Sequence, residues 1–238
     1  MSAESLTRGW DAYARGDLAA AEEAFRHALA DGDVDAYVPL GNALWDQGES
    51  AQAERQYRAA AEAGIVAGLH NLGLVLREQD RLDEAIAAFR AAAPAEPDAL
   101  VELALVLLDD LIGKPEEAEA LLAEAIARGA KDASIVLASV LVDQERIGDA
   151  ATVLRTAMES GSLDAQVDLA NLLSEELGDN EEAERLYRDA IAKGDRDAEN
   201  NLGVLLRDLG RIDEAKVHLR RAALRGDKMA RENLAGLD

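Results

Sequence analysis

An all-α fold built from tandem helical hairpins is predicted by three observations. A small residue recurs at Gly9, Gly41, Gly73, Ala104, Ala138, Ala170 and Gly203. Two alanine columns follow it: Ala21, Ala53, Ala85, Ala118, Ala150, Ala183 and Ala215 in steps of 32 or 33 residues, then Ala28, Ala60, Ala92, Ala125, Ala157, Ala190 and Ala222. Between the alanines stands a large apolar residue each time, Phe25, Tyr57, Phe89, Leu122, Leu154, Tyr187 and Leu219. Columns that hold register in this way mark an internal repeat of two short amphipathic helices joined by a tight turn. The clearest copy is Asn201 to Leu206, the turn at Gly210-Arg211, then Asp213, Glu214, Ala215 and Leu219.

The whole chain, 1–238, reads as one array of about seven antiparallel helix pairs, with units near 2–33, 34–65, 66–97, 98–130, 131–162, 163–195 and 196–227 and a capping helix over 228–238. Such an array grows by stacking and needs no single round core. The first unit carries Trp10 and Tyr13 and turns at Gly16-Asp17. The second holds Pro39 in its opening turn, where no intrahelical N–H bond is lost. In the third, Pro94-Ala95-Glu96-Pro97 replaces the glycine found at that place elsewhere, which predicts a stiff loop. The fourth is longer between its helices, with Pro115 at a first helical position, and the sixth has one extra residue near Gly178-Asp179-Asn180. In the final stretch Arg231, Glu232 and Asn233 are expected to face water.

Unit ends follow from local chemistry. Gly32, Gly64, Gly129, Gly161, Gly194 and Gly226 stand where a helix closes with a left-handed residue. Asp35, Asp98, Asp132, Asp164 and Asp197 follow these ends and are expected to cap the next helix, each contributing about 1 kcal/mol.

Composition narrows the partners. A formal charge of −23, from 48 acidic against 25 basic residues, argues against nucleic acid and anionic membrane, whose affinity comes from Lys and Arg. A neutral to basic protein or peptide segment fits better, and the same charge keeps an array soluble. No cysteine is present, which excludes disulfides and thiolate chemistry. The amino terminus lacks a signal-like apolar region, and the longest apolar run, Leu103 to Leu108, is far too short to span a bilayer. A cytoplasmic location is the resulting expectation.

The Leu-Gly pairs Leu40-Gly41, Leu72-Gly73 and Leu202-Gly203, the paired alanines such as Ala53 and Ala60, and the intervening Phe25, Tyr57, Phe89 and Tyr187 resemble the tetratricopeptide repeat superfamily over essentially the whole chain. The short step and the Gly-Asp loops at Gly194-Asp195 and Gly226-Asp227 lean toward its Sel-like branch. The resemblance implies a right-handed α-solenoid whose first helices line a concave groove, acting as a non-enzymatic interaction scaffold.

The groove candidates are Trp10, Tyr13, Asn42, Trp45, His70, Leu74, Arg77, Leu105, Asn171, Asn200 and Arg207. Trp10, Tyr13 and Trp45 suit an anchor pocket for a partner side chain or the packing of an incompletely buried first unit. The asparagines suit hydrogen bonding to a bound backbone, and Arg77 and Arg207 are the cations on this face. One residue further round the helix, Asp46, Glu78, Asp109, Asp143, Glu175 and Asp208 form an acidic rim. It suits steering of a basic segment, or pairing with Arg26, Arg58, Arg90, Arg155, Arg188 and Arg220, or plain solvation.

No catalytic, cofactor or metal site is expected. His27 and His218 lie one turn from Glu23 and Glu214 with no third ligand in step, and read as surface residues. Asp31-Gly32-Asp33-Val34-Asp35 begins like a calcium loop, but Ala36 and Asn42 stand where such loops need Gly and Glu. Two other functions stay open: a self-assembling structural oligomer, and a regulatory or recruiting module of a separate enzyme.

Overall fold

The computed structural model describes residues 2–109 and 112–237, and the regular elements among them are all helical. They gather into two compact units that divide in sequence between Ala133 and Ser134. Helices α1 (Ser2–Ala14), α2 (Leu18–Ala30), α3 (Tyr37–Asp46), α4 (Ser50–Glu62), α5 (Val66–Glu78), α6 (Leu82–Ala92), α7 (Asp98–Leu108) and α8 (Pro115–Ala127) make the first. The second holds α9 (Ala133–Asp143), α10 (Ile147–Glu159), α11 (Leu163–Leu172), α12 (Asn180–Ala192), α13 (Ala198–Asp208), α14 (Ile212–Leu224) and α15 (Lys228–Ala235). Consecutive helices pack on one another from α1 to α8, and again from α10 to α15.

The repeat columns are the core. Phe25, Phe89, Leu122 and Leu219 are fully buried, and so are Ala21, Ala53, Ala85, Ala118, Ala150, Ala183 and Ala215. The small column exists because the large one presses on it. A Cβ added at Gly73 would lie 2.5 Å from the ring of Phe89, and one at Gly203 would lie 2.6 Å from Leu219. Where Leu122 is the large residue, Ala104 fits in the small position at full burial.

The helix ends agree with the glycine reading and depart from the aspartate one. Gly194 and Gly226 take φ of 98° and 103°, a region that costs other residues about 1–2 kcal/mol. Asp80 and Glu145 adopt φ of 56° and 60° in turns between paired helices. The caps, however, come from other side chains than expected. Ser162 caps α11, leaving Asp164 inside its first turn, and Asp195 accepts from the Asp197 and Ala198 amides ahead of α13. Asp35 lies in a 3₁₀ turn, Val34–Ala36, that precedes α3. Asp98 is the first residue of α7 and accepts from the Lys131 amide at 2.9 Å. Asp17, Asp179 and Asp227 do act as side-chain caps.

Two irregularities are absorbed locally. The extra residue of the sixth repeat becomes a π-helical turn, Leu173–Leu177, closed by Gly178 at φ 68°. The proline-marked loop after α6 is tied down by Arg128, whose guanidinium donates to the carbonyls of Ala93 at 2.8 Å and Pro94 at 3.0 Å. At the carboxyl end α15 buries Ala230 on Leu219 and Ala222. Arg231 and Glu232 face water as expected, but Asn233 turns inward and donates to Asn200 at 3.0 Å. The expected cap ends at Asp238, which lies outside the described residues.

Candidate functional site

Two clefts open on the first helices, one in each compact unit. The cleft of the first unit, ≈ 230 Å³, is lined by Tyr13, Asn42, Trp45, Asp46, Tyr57, Asn71 and Leu74. That of the second, ≈ 340 Å³, is lined by Asn171, Ser174, Glu175, Asn180, Tyr187, Asn201, Val204, Leu205 and Asp208.

Both are built on the same hydrogen-bonded frame. In the first, Asn42 Oδ1 accepts from the Tyr57 hydroxyl at 2.8 Å and from Asn71 Nδ2 at 3.0 Å. In the second, Asn171 Oδ1 accepts from the Tyr187 hydroxyl at 2.6 Å and from Asn201 Nδ2 at 3.0 Å. Two donors on one oxygen fix each amide's orientation. Among the described residues the Asn42 NH2 group has no further partner. Asn200 belongs to the same line, donating to Asn201 Oδ1 at 3.3 Å.

The tyrosines are held neutral. Burial comes first in raising the Tyr57 hydroxyl, with the nearby Asp46 charge adding to it. Burial also pushes Tyr187 up to about 12, helped by Glu175 and Asp168. Tyr13 donates to Asp46, and that hydrogen bond, with some burial, raises it to about 12. Asp168, half-buried one turn before Asn171, is raised chiefly by burial and then by Asp164.

The expected anchor residues divide. Tyr13 and Trp45 line the first cleft. Trp10 is 45% exposed, packs edge-on against Phe25 at 5.6 Å and stands beside Tyr13 at 5.9 Å. Leu105 is exposed on α7, outside both clefts. His70 rests edge-on against Phe89 with Nδ1 3.4 Å from Glu96.

The two candidate cations are already engaged: Arg77 pairs with Glu102 and Arg207 with Asp208 at 2.8 Å.

Among the described residues, Asp46, Glu78, Asp143, Glu175 and Asp208 form no ion pair with the arginine series. Five of the six arginines join glutamates on second helices instead: Arg26 with Glu22, Arg58 with Glu54 and Glu84, Arg90 with Glu117, Arg155 with Glu182, and Arg188 with Glu184 and Glu214. Arg81 and Arg211 complete two matching quartets by reaching Glu54 and Glu84, and Glu184 and Glu214. Glu78, Asp143 and Glu175 are exposed and meet no cation among the described residues, while Asp46 is held by Tyr13.

His218 corrects a sequence expectation. It is buried, with Nδ1 2.8 Å from the carboxylate of Glu199, itself 1% exposed. Gln166, also 1% exposed, donates to the Leu186 carbonyl and Asp189 and accepts from Lys193 at 2.9 Å. Glu199 and Gln166, both on first helices, therefore each find a partner on the second helix they pack against. His27 is exposed, 3.8 Å from Glu23. Among the described residues no three His, Asp or Glu side chains are gathered as metal ligands, and no helix is long and apolar enough to cross a membrane.

A tetratricopeptide repeat family model matches residues 6–64, 38–99, 71–133, 102–165 and 168–228. The chain belongs to the tetratricopeptide repeat family. Tetratricopeptide arrays are generally protein–protein interaction modules. Solved structures similar to this one include yeast Tom70, at 18% identity and a TM-score of 0.74 over 99% of this chain and 53% of that one. The Sel1 repeat protein of Oxalobacter formigenes matches at 22% identity and 0.66, over 95% and 99%. The protective antigen c5321 of uropathogenic Escherichia coli, which displays an SLR fold, matches at 23% and 0.65, over 100% and 56%. At these identities the likeness concerns the fold, an all-α solenoid shared by tetratricopeptide and Sel1-type arrays. No curated protein matches the chain.

Proposed function

We propose that this tetratricopeptide array is a non-enzymatic, cytoplasmic scaffold that binds a neutral to basic protein segment along its first helices. The carrying observation is the duplicated Tyr–Asn–Asn frame, which orients amide groups beside a cleft in both units. Fixed amides bind a backbone with little loss of side-chain freedom, because their rotamers are already set. The surplus of rim carboxylates over cations supports a partner that is not acidic.

Peptides selected from a random library on the intact chain, with affinity measured by calorimetry, provide the test. Trp45→Ala and Asn171→Ala should each weaken a selected peptide while circular dichroism stays unchanged. Selected peptides that bind both variants as tightly as the parent would place the interaction elsewhere. Self-assembly is favoured by one feature, the exposure of Leu224 and Met229 near the carboxyl end. Light scattering that gives a monomer mass across concentration would exclude it.

A further inference from the structure

We propose that the first-unit cleft takes the guanidinium of an arginine carried by the bound segment, an inference that rests on the scaffold reading above. Tyr13, Trp45 and Tyr57 supply three aromatic rings around a space of ≈ 230 Å³, and Asp46 supplies the carboxylate. No cation lines the space. One donor, the Tyr13 hydroxyl, is placed on Asp46 Oδ2, and among the described residues the other carboxylate oxygen has no partner. Asn42 Oδ1 is already filled by two donors, and Asp46 supplies the one negatively charged acceptor in the lining. A guanidinium has five N–H donors, no acceptor, and a flat face that stacks on aromatic rings. It can bond the open oxygen of Asp46 while its face lies on a ring, which combines a charge-assisted hydrogen bond with cation–π attraction.

The second cleft acts as a built-in comparison. It keeps the frame, with Asn171, Tyr187 and Asn201 standing where Asn42, Tyr57 and Asn71 stand. It holds Ser174 at the place of Trp45, and Val142 occupies the sequence position equivalent to Tyr13. The frame therefore forms without the added rings. The frame does not require Tyr13 and Trp45, and both line the cleft where a ligand can reach them.

The test employs the intact chain, 15N-labelled, with the indole N–H signals of Trp10 and Trp45 assigned through Trp10→Phe and Trp45→Phe. Short blocked peptides Gly-Arg-Gly, Gly-citrulline-Gly and Gly-Lys-Gly are titrated in turn. The arginine peptide should shift the Trp45 signal, with the neutral citrulline isostere about tenfold weaker or more and lysine weaker than arginine. Asp46→Asn keeps an acceptor for Tyr13 yet should weaken the arginine peptide about tenfold, whereas Asp143→Asn, a rim residue outside the cleft, should change it little. Equal binding of citrulline and arginine, no shift of Trp45, or an Asp143→Asn loss as large as that of Asp46→Asn would each overturn the assignment. Library peptides that still depend on Asn171 would then show that the scaffold reading survives without it.

Discussion

At the residue scale, the fold rests on the contact between a small residue on each first helix and the large one sixteen to eighteen positions later. Gly73 is decisive, because a methyl group there would overlap the Phe89 ring. Gly73→Ala should therefore cost about 1–3 kcal/mol by overpacking. Adding Phe89→Leu should recover part of that cost, because Ala104 and Leu122 already coexist fully buried. Urea denaturation of the three variants checks both steps, and a double variant no better than Gly73→Ala would refute the pairing. Glu145 offers the opposite case: it holds φ of 60° in a turn where the equivalent residues include Gly48 and Gly210. Glu145→Gly should raise stability by about 1 kcal/mol. At this scale the frame was also legible in part. Tyrosine enters the large column only at Tyr57 and Tyr187, the two repeats in which asparagine, Asn42 or Asn171, follows the small residue. That coincidence predicts a hydroxyl-to-amide bond. What no pattern foretold was Glu199 with His218, because a lone buried pair has no period to reveal it.

At the element scale, alternation of helix and turn was readable because the small, alanine and large apolar columns, with Ala157 the partly buried exception, are core positions fixed by burial. Caps were less readable. An aspartate two or three residues after a glycine can fall at the cap or inside the first turn, and competition from Ser162 and Asp195 decides which. The ion pairs between successive second helices were missed for a related reason: partners 26 or 27 residues apart meet only after the helices stack. Their pH dependence can be worked out. The hydrogen bond from Arg81, followed by that from Arg58, holds the Glu84 carboxyl down to about 2. For Glu54 burial is the largest influence and acts upward, but Arg58 and Arg81 together outweigh it. Both carboxyls thus bind protons less readily folded than unfolded. Their contribution is complete above the unfolded value near 4.5 and fades as pH falls toward about 2. Arg81→Met should lower the urea midpoint at pH 6, and the gap to the parent should close between pH 4.5 and 2. A gap that persists unchanged at pH 2 would mean that Arg81 acts through packing of its stem.

For the whole molecule, charge sets two opposing responses to salt. The surplus of 48 acidic over 25 basic residues, −23 in all, repels itself more in the folded chain than in an expanded one. Added salt shortens the range of that repulsion to about 10 Å at 0.1 M. The same salt weakens exposed ion pairs, but each of those is worth only about 0–1 kcal/mol, and partners in direct contact are screened less than distant charges. Repulsion relief should dominate, so Tm should rise as NaCl goes from about 20 mM to about 300 mM. A falling Tm would mean that the second-helix pairs outweigh the net charge. The attraction proposed between the acidic first-helix face and a basic segment would move the other way, because screening removes electrostatic steering. Affinity for a library-selected basic peptide should therefore fall over the salt range in which the scaffold gains stability, a divergence that ordinary loss of folding cannot produce.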